Sequence, residues 1–279
     1  MKFLRNLLGI GTDITHYTVR SEKIPSAFDG FRILHLSDFH NGSEKKIYSV
    51  LEKNHFDAVF ITGDMTDDDK DDENFFKLLS FLLKKKPVYI IPGNHDSRRP
   101  DSKNLYKRLS DTDAVFLCNN SSIIEKNGAQ ITVHGINDPG RAVKDSLNNQ
   151  LKASLSSLKR RDGYEILLFH RANKLDLLNG MGFDLVLSGH MHGGHIRIPF
   201  LGGLFSPLSS IRDHGRFLFP AYTNGLYKKE DSLYIVNRGM SNPMKIPRFF
   251  NSPEIVIITL ESQTAYNSSQ NCTKLCKNS

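Results

Sequence analysis

Val88-Tyr89-Ile90-Ile91-Pro92-Gly93-Asn94-His95-Asp96 is a short apolar run that stops at Pro and Gly and opens into polar, metal-capable side chains. Runs of this length, bounded by Gly and Pro, read as buried strands. The same arrangement recurs along the chain. Phe31-Arg32-Ile33-Leu34-His35-Leu36 leads to Asp38-Phe39-His40, and Ala58-Val59-Phe60-Ile61-Thr62 leads to Gly63-Asp64. Ile166-Leu167-Leu168-Phe169 ends at His170. Leu185-Val186-Leu187-Ser188 ends at Gly189-His190-Met191-His192-Gly193-Gly194-His195. Ligands of open α/β sheets gather at the carboxyl ends of strands. Strand ends that all carry oxygen and imidazole donors therefore point to one shared metal site.

Around these runs, strand and helix patterns alternate, which argues for α/β architecture. Helices are expected over 45–55, 72–85, 102–109, 146–159 and 172–178. The acidic run Asp67-Asp68-Asp69 through Glu73 reads as the loop and first turn of the second of these, where negative charge suits the helix dipole. Segments 115–118, 122–125 and 130–135 are expected as consecutive antiparallel strands, and 232–237 and 254–260 as two more. Between 196 and 220 lies a stretch rich in Gly and Pro that also holds Phe200, Leu201, Leu204, Phe205, Leu208, Phe217 and Phe219. It reads either as a loop packed over a sheet or as a lipid contact. One domain, residues 1–261 with a core at 31–260, accounts for the pattern, followed by a disordered polar tail at 262–279.

The 279 residues can bury a substantial core. With 39% hydrophobic and 24% charged residues, disorder is not the default for the chain. A net charge of +7 favours anionic ligands such as phosphates, nucleic acid or an acidic membrane face. Lys84-Lys85-Lys86 and Lys159-Arg160-Arg161 nevertheless read as solvated helix ends, and no basic stripe with interleaved aromatics is present, so nucleic acid is not the expected partner. Cys118 reads as a buried thiol, whereas Cys272 and Cys276 lie in the polar tail and specify neither a metal site nor a disulfide. Residues 1–10 are basic and apolar but too short for a membrane span and marginal for a signal peptide. A cytoplasmic location is expected, with peripheral membrane contact through that segment left open.

Asp38 and His40, two residues apart, can point to the same side of a strand end. Gly63 before Asp64 allows close backbone approach. Asn94 supplies a carbonyl oxygen, and His170, His190 and His192 supply imidazoles. Mixed oxygen and nitrogen donors without thiolate suit Mn²⁺, iron (Fe²⁺ or Fe³⁺) or Zn²⁺. The donors exceed what one tetrahedral ion uses, and two divalent ions sharing a carboxylate account for them. Arg171 could grip a phosphate bidentately or form a structural pair. His16, His35, His55, His134 and His214 read as ordinary core or surface residues.

The ordered set D-x-H, G-D, G-N-H-D, H and G-H-x-H, from Asp38 to His192, resembles the calcineurin-like metallophosphoesterase family. Gly189 to Pro199, Ile235-Val236-Asn237-Arg238-Gly239 and Pro247-Arg248-Phe249 extend the resemblance to a bacterial branch of small phosphodiesterases. Members of that branch are often associated with membrane or cell wall, and some act on nucleotide-linked lipids. The resemblance implies a four-layer sandwich of two facing mixed β-sheets flanked by helices. It implies that Asp38, His40, Asp64 and His192 hold one metal and Asp64, Asn94, His170 and His190 the other. A hydroxide bridging the two ions would attack phosphorus in line. His95 would protonate the leaving oxygen or stabilise the transition state, with Asp96 orienting its ring. His195 stands where the branch usually carries Gln and is a candidate substrate contact beside Arg171, while Ala172 replaces a usual Pro. The implied function is a dinuclear metal-dependent phosphoester hydrolase, a phosphodiesterase or pyrophosphatase acting on a nucleotide- or lipid-linked substrate. A nuclease with the same site and a non-catalytic binding protein on this fold are the alternatives.

Overall fold

A computed structural model describes residues 11–43, 45–68, 71–140, 144–204, 218–241 and 248–263. The apolar runs become strands of two six-stranded sheets. The first sheet contains β1 (Asp13–Ser21), β2 (Arg32–Leu36), β3 (Ala58–Thr62), β4 (Val88–Ile91), β5 (Val115–Phe116) and β14 (Glu254–Ser262), in the order β1-β14-β2-β3-β4-β5. The second contains β6 (Asn120–Lys126), β7 (Ala129–Gly135), β8 (Glu165–Arg171), β9 (Leu185–Gly189), β12 (Gly225–Lys229) and β13 (Ser232–Val236), in the order β12-β13-β9-β8-β7-β6. Both are mixed: β2 to β5 run parallel while β14 opposes β2, and β7, β8, β9 and β13 run parallel while β6 and β12 oppose their neighbours. A small hairpin joins β10 (Arg197–Ile198) to β11 (Gly202–Gly203).

Alternate residues of each strand face opposite layers. Ile33, Phe60 and Ile91 meet Val133, Leu168, Leu187 and Ile235 between the sheets. Leu34, Val59, Ile61 and Ile90 turn outward against α1 (Lys45–Lys53), α2 (Glu73–Leu83) and α4 (Ser102–Ser110), which contribute Ile47, Leu51, Phe75, Leu78, Leu82 and Leu105. Leu167, Phe169, Val186 and Tyr234 do the same against α5 (Lys144–Ser157) and the 3-10 turn Ala172–Leu178. The result is the expected α/β sandwich of four layers: helices, sheet, sheet, helices. Strands buried on both faces have no polar side to show, which is why they read as continuous apolar runs. Each large side chain so buried contributes about 1.5–3 kcal/mol.

Several details depart from the sequence-based expectation. Segment 115–118 does not start an antiparallel meander. β5 instead closes the edge of the first sheet parallel to β4, and the chain then crosses into the second sheet, where β6 and β7 form the antiparallel hairpin. Leu117, buried between the sheets, anchors that crossing. Cys118 is the free thiol expected, half-buried rather than fully so. β1 and β12 went unread because both are edge strands with alternating half-exposed residues. The segment 172–178 is 3-10 rather than α-helix. Ser262, placed at the start of the expected tail, is buried at the end of β14 and donates to the carbonyl of Ile24 (2.8 Å). Residues 1–10, Cys272 and Cys276 lie outside the described residues, as do Phe205, Leu208, His214 and Phe217. Among the described residues no helix is long and apolar enough to cross a membrane.

His35 lies on β2, fully buried, with Nε2 2.9 Å from the Thr62 hydroxyl. Burial pushes its pKa from 6.5 down to about 3. The unfolded chain then takes up this proton first, so the stability held above pH 6.5 is lost as pH falls toward 3, at about 1.4 kcal/mol per unit. His35→Gln is expected to remove about 2 kcal/mol of the stability difference between pH 7 and pH 5. Urea unfolding of both proteins at the two pH values measures this, and identical differences would refute it.

Candidate metal centre

The centre lies where the carboxyl ends of the two sheets meet. Nδ1 of His170, on β8, donates to the carbonyl of Thr62 at the end of β3 (2.7 Å). The backbone N–H of His190, just past β9, donates to the Asp38 carboxylate just past β2 (3.0 Å). Loops after β2 and β3 run side by side through Asp38 N–H to Gly63 carbonyl and His40 N–H to Asp64 carbonyl, each 3.0 Å. A Cβ on Gly63 would collide with the backbone of Gly93, and one on Gly189 with the Ser37 hydroxyl. Glycine at these positions therefore permits the loops to close on one another.

Asp38, His40, Asp64, His190 and His192 all have left-handed backbone conformations. Such a conformation costs a non-glycine residue about 1 kcal/mol or more. Concentrated at one place, it marks a site that the surrounding structure holds against local preference.

The structure brings the candidate ligands into two groups. Donor atoms of Asp38, His40 and His192 lie within 4.8 Å of one another, as do those of Asp64, His170 and His190. All are buried. Asp64 faces both groups: its Oδ2 is 3.2 Å from His170 Nε2 and 4.0 Å from His40 Nε2. The Asn94 amide, at the first residue of α3 (Asn94–Arg98), ends 3.1 Å from His170 Nε2 and 2.7 Å from His190 Nδ1. His40 Nε2 is buried without a hydrogen bond, between Asp38 and Asp64 at 4.0 Å each. Its other nitrogen donates to the Asp67 carboxylate at 2.7 Å, which fixes the tautomer whose Nε2 lone pair is open to a cation. His170 is fixed in the same sense by Thr62. A divalent cation fits this donor set.

The electrostatics agree. Burial opposes charge on Asp64, yet His170 and His95 hold its carboxyl well below the ordinary range. Burial likewise opposes charge on His170, but Asp64 outweighs it and lifts the imidazole to about 10. The pair thus keeps a positive charge beside Asp64, the place a cation would take. Asp38 is pushed up by burial first and by Asp64 after it. His190 and His192 are pushed far down, by burial and then by the nearby cations His170 and Arg248 respectively.

Among the imidazoles of the site, His95 is the one open to solvent, with its side chain 24% exposed. Its backbone N–H donates to Asp64 (2.7 Å). Its ring was expected to lean on Asp96, and the structure corrects this. Asp96 is buried and accepts from the N–H groups of Gly93, Met65 and Thr66 and from the Thr66 hydroxyl, so it knits two loops together. The carboxylate beside the His95 ring is Asp68, 2.9 Å from Nδ1. Asp67 and Asp68 are thus part of the centre rather than mere loop; their position shortly after Gly63-Asp64 was the available signal. Arg171 is corrected too. It is buried and grips Asp138 bidentately (2.6 and 2.9 Å) and the Gly140 carbonyl (3.1 Å), a structural pair rather than a substrate contact. His195 joins neither ligand group; it is fully buried, and Asn251 holds its carbonyl (2.9 Å). Arg248, assigned no role from sequence, is buried with Nη2 3.0 Å from His192 Nδ1.

Two facing sheets assemble carboxylates and imidazoles at their shared edge into a donor set for divalent metal. Residues 31–194, more than half of the chain, match the calcineurin-like phosphoesterase family, and the chain belongs to it. It is a metal-dependent phosphoric ester hydrolase. The metallophosphoesterase YkuE of Bacillus subtilis is 28% identical over 261 residues, covering 90% of this chain and 86% of its own. A metallophosphoesterase of Helicobacter pylori is 31% identical over 246 residues, covering 82% of this chain and 59% of its own. Phosphodiesterase YaeI of Escherichia coli is 26% identical over 196 residues, covering 65% and 68%.

If Arg171 serves structure, Arg171→Met should strand Asp138 as a buried charge and cost about 3–5 kcal/mol in urea unfolding. Adding Asp138→Asn should recover much of the loss. An Arg171→Met protein of unchanged stability but raised KM would return the residue to substrate binding.

Proposed function

We propose that the protein is a dinuclear metal-dependent phosphodiesterase or pyrophosphatase. The reading is carried by the Asp64 carboxylate, which faces both ligand groups from one position. Asp38, His40, Asp64 and His192 would hold one ion, and Asp64, Asn94, His170 and His190 the other. Manganese, iron or zinc would suit these donors and would supply Lewis acidity toward water and phosphoryl oxygens. The chain's own residues supply the rest. His95, at the open side of the centre, is placed to give a proton to the leaving oxygen. The Asp68 carboxylate stands 2.9 Å from Nδ1, which leaves Nε2 for that transfer.

A lipid- or nucleotide-linked diester suits the surroundings. Beyond His195 the β10–β11 hairpin turns at Phe200 and Leu201, which are 108% and 68% exposed, and Leu218 and Phe219 are exposed as well. Apolar side chains held out in water fit contact with acyl chains or a membrane surface, which would place the protein peripherally on the cytoplasmic side. The similarity to phosphodiesterase YaeI supports a diester over a monoester. Residues 1–261 would act as one unit.

Metal-stripped protein is expected to cleave bis(p-nitrophenyl) phosphate in preference to p-nitrophenyl phosphate only after Mn²⁺, Zn²⁺ or Fe²⁺ is returned. His95→Ala should lower kcat by about 10²–10⁴-fold with metal content unchanged. Asp68→Asn should lower it by about tenfold or more. Full activity in Asp64→Asn would sink the two-metal mechanism.

A further inference from the structure

Five of the six residues from His190 to His195 have left-handed backbone; Met191, with φ −86°, is the exception. His192, Gly193, Gly194 and His195 follow one another in that conformation, with φ of 46°, 68°, 72° and 50°. Glycine takes it freely, but it is disfavoured at each histidine. Inside the turn, the Gly194 N–H donates to the Met191 carbonyl (2.8 Å) and the His195 N–H to that of His192 (3.2 Å). A run held so far from local preference needs a brace from outside.

Asn251, fully buried on the approach to β14, is placed to be that brace. Its amide nitrogen donates to the carbonyls of His192 (2.7 Å) and His195 (2.9 Å), the two ends of the left-handed run. Both amide hydrogens are thereby used. Its Oδ1 lies against Gly193, where a Cβ would stand 2.1 Å away, and has no hydrogen bond among the described residues. The backbone beside it follows the same path: Phe249 bridges Ile196, and its carbonyl accepts from the Arg197 N–H (3.0 Å). A segment leading into the first sheet thus braces a turn that leaves the second. That turn carries the His192 ring into the group with Asp38 and His40. We infer that Asn251 is a positioning residue of the metal centre, acting through the His192 and His195 carbonyls to fix the backbone from which the His192 ring reaches a cation. This rests on the two-metal reading above.

Cadmium NMR of cadmium-loaded full-length protein tests it without recourse to activity, because each bound ion gives its own resonance. Wild type should give two, and His192→Ala should remove the one that belongs to the Asp38–His40–His192 group. Asn251→Asp keeps the planar shape but puts an oxygen where the donating nitrogen stood. It should shift or abolish that same resonance, leave the other in place, and weaken one step of a Mn²⁺ titration by about tenfold or more. Gly193→Ala presses a Cβ into Asn251 from the other side and should act on the same resonance; should Asn251→Asp not fold, it carries the prediction. The double variant should lose little more than either single one, as expected of two changes at one contact. Two unmoved resonances in Asn251→Asp, whatever its stability, or a change confined to the resonance that His192→Ala spares, would overturn the inference while leaving the two-metal reading intact. A single resonance in wild type would overturn the two-metal reading; the inference then stands if Asn251→Asp moves that resonance and falls if it does not.

Discussion

The hydrogen bond from His170 to the carbonyl of Thr62 joins the end of a strand in one sheet to the end of a strand in the other. The rest of the centre depends on that juncture. Parallel strands within each sheet end on the same side, and the sandwich sets the two ends face to face. Residues distant in sequence, such as Asp38 and His190, then meet at hydrogen-bond distance. Close approach demands glycine at Gly63 and Gly189 and left-handed backbone at Asp38, Asp64, His190 and His192. These are costs of several kcal/mol in total, borne because apolar layers on both sides of each sheet hold the loops in place.

Charge imposes a second cost. Two carboxylates and several imidazoles are buried in one small volume, where isolated charges are strongly disfavoured. Asp64 and His170 resolve part of this by sharing charge, each moving the other's pKa against the pull of burial. Asp38 is drawn down by His170 as well, but burial outweighs that pull and leaves its carboxyl pushed upward. A divalent cation among these donors would offset what the protein alone does not, which would link metal binding to the stability of this edge.

The legible part of the molecule was the part with a strong chemical contrast. Strands buried on both faces leave uninterrupted apolar runs, and the donors Asp38, Asp64, Asn94, His170 and His190 stand immediately beyond them. β1 and β12 were illegible because an edge strand with one wet face resembles an extended loop. Side-chain partners failed for a different reason. The family resemblance implies that Asp96 orients His95, but in the first turn of α3 neighbouring side chains diverge, and Asp68 arrives from another loop. Arg171 looked like a phosphate clamp beside His170, yet Asp138 neutralises it from the loop after β7. Arg248 lies far along the chain from His192, and only the closed fold makes them neighbours.

Asp67 and Asp68 show how closely two functions can be tied. One carboxylate receives the Nδ1 proton of His40, a candidate ligand; the next lies against Nδ1 of His95, the candidate proton donor. The rings of His40 and His95 are themselves edge to face at 4.8 Å. A displacement of the loop after Asp64 would therefore turn both rings at once. Arg98 and Arg99 restrain that displacement, Arg98 through the Asp68 carboxylate (3.2 Å) and Arg99 through the Asp67 carbonyl (3.5 Å), and Arg99 is itself braced by Asp101. Asp67 and Asp68 thus serve as a strut, held by arginines of α3 and its C-terminal edge, that keeps the orientations of the candidate ligand His40 and the candidate proton donor His95 in register.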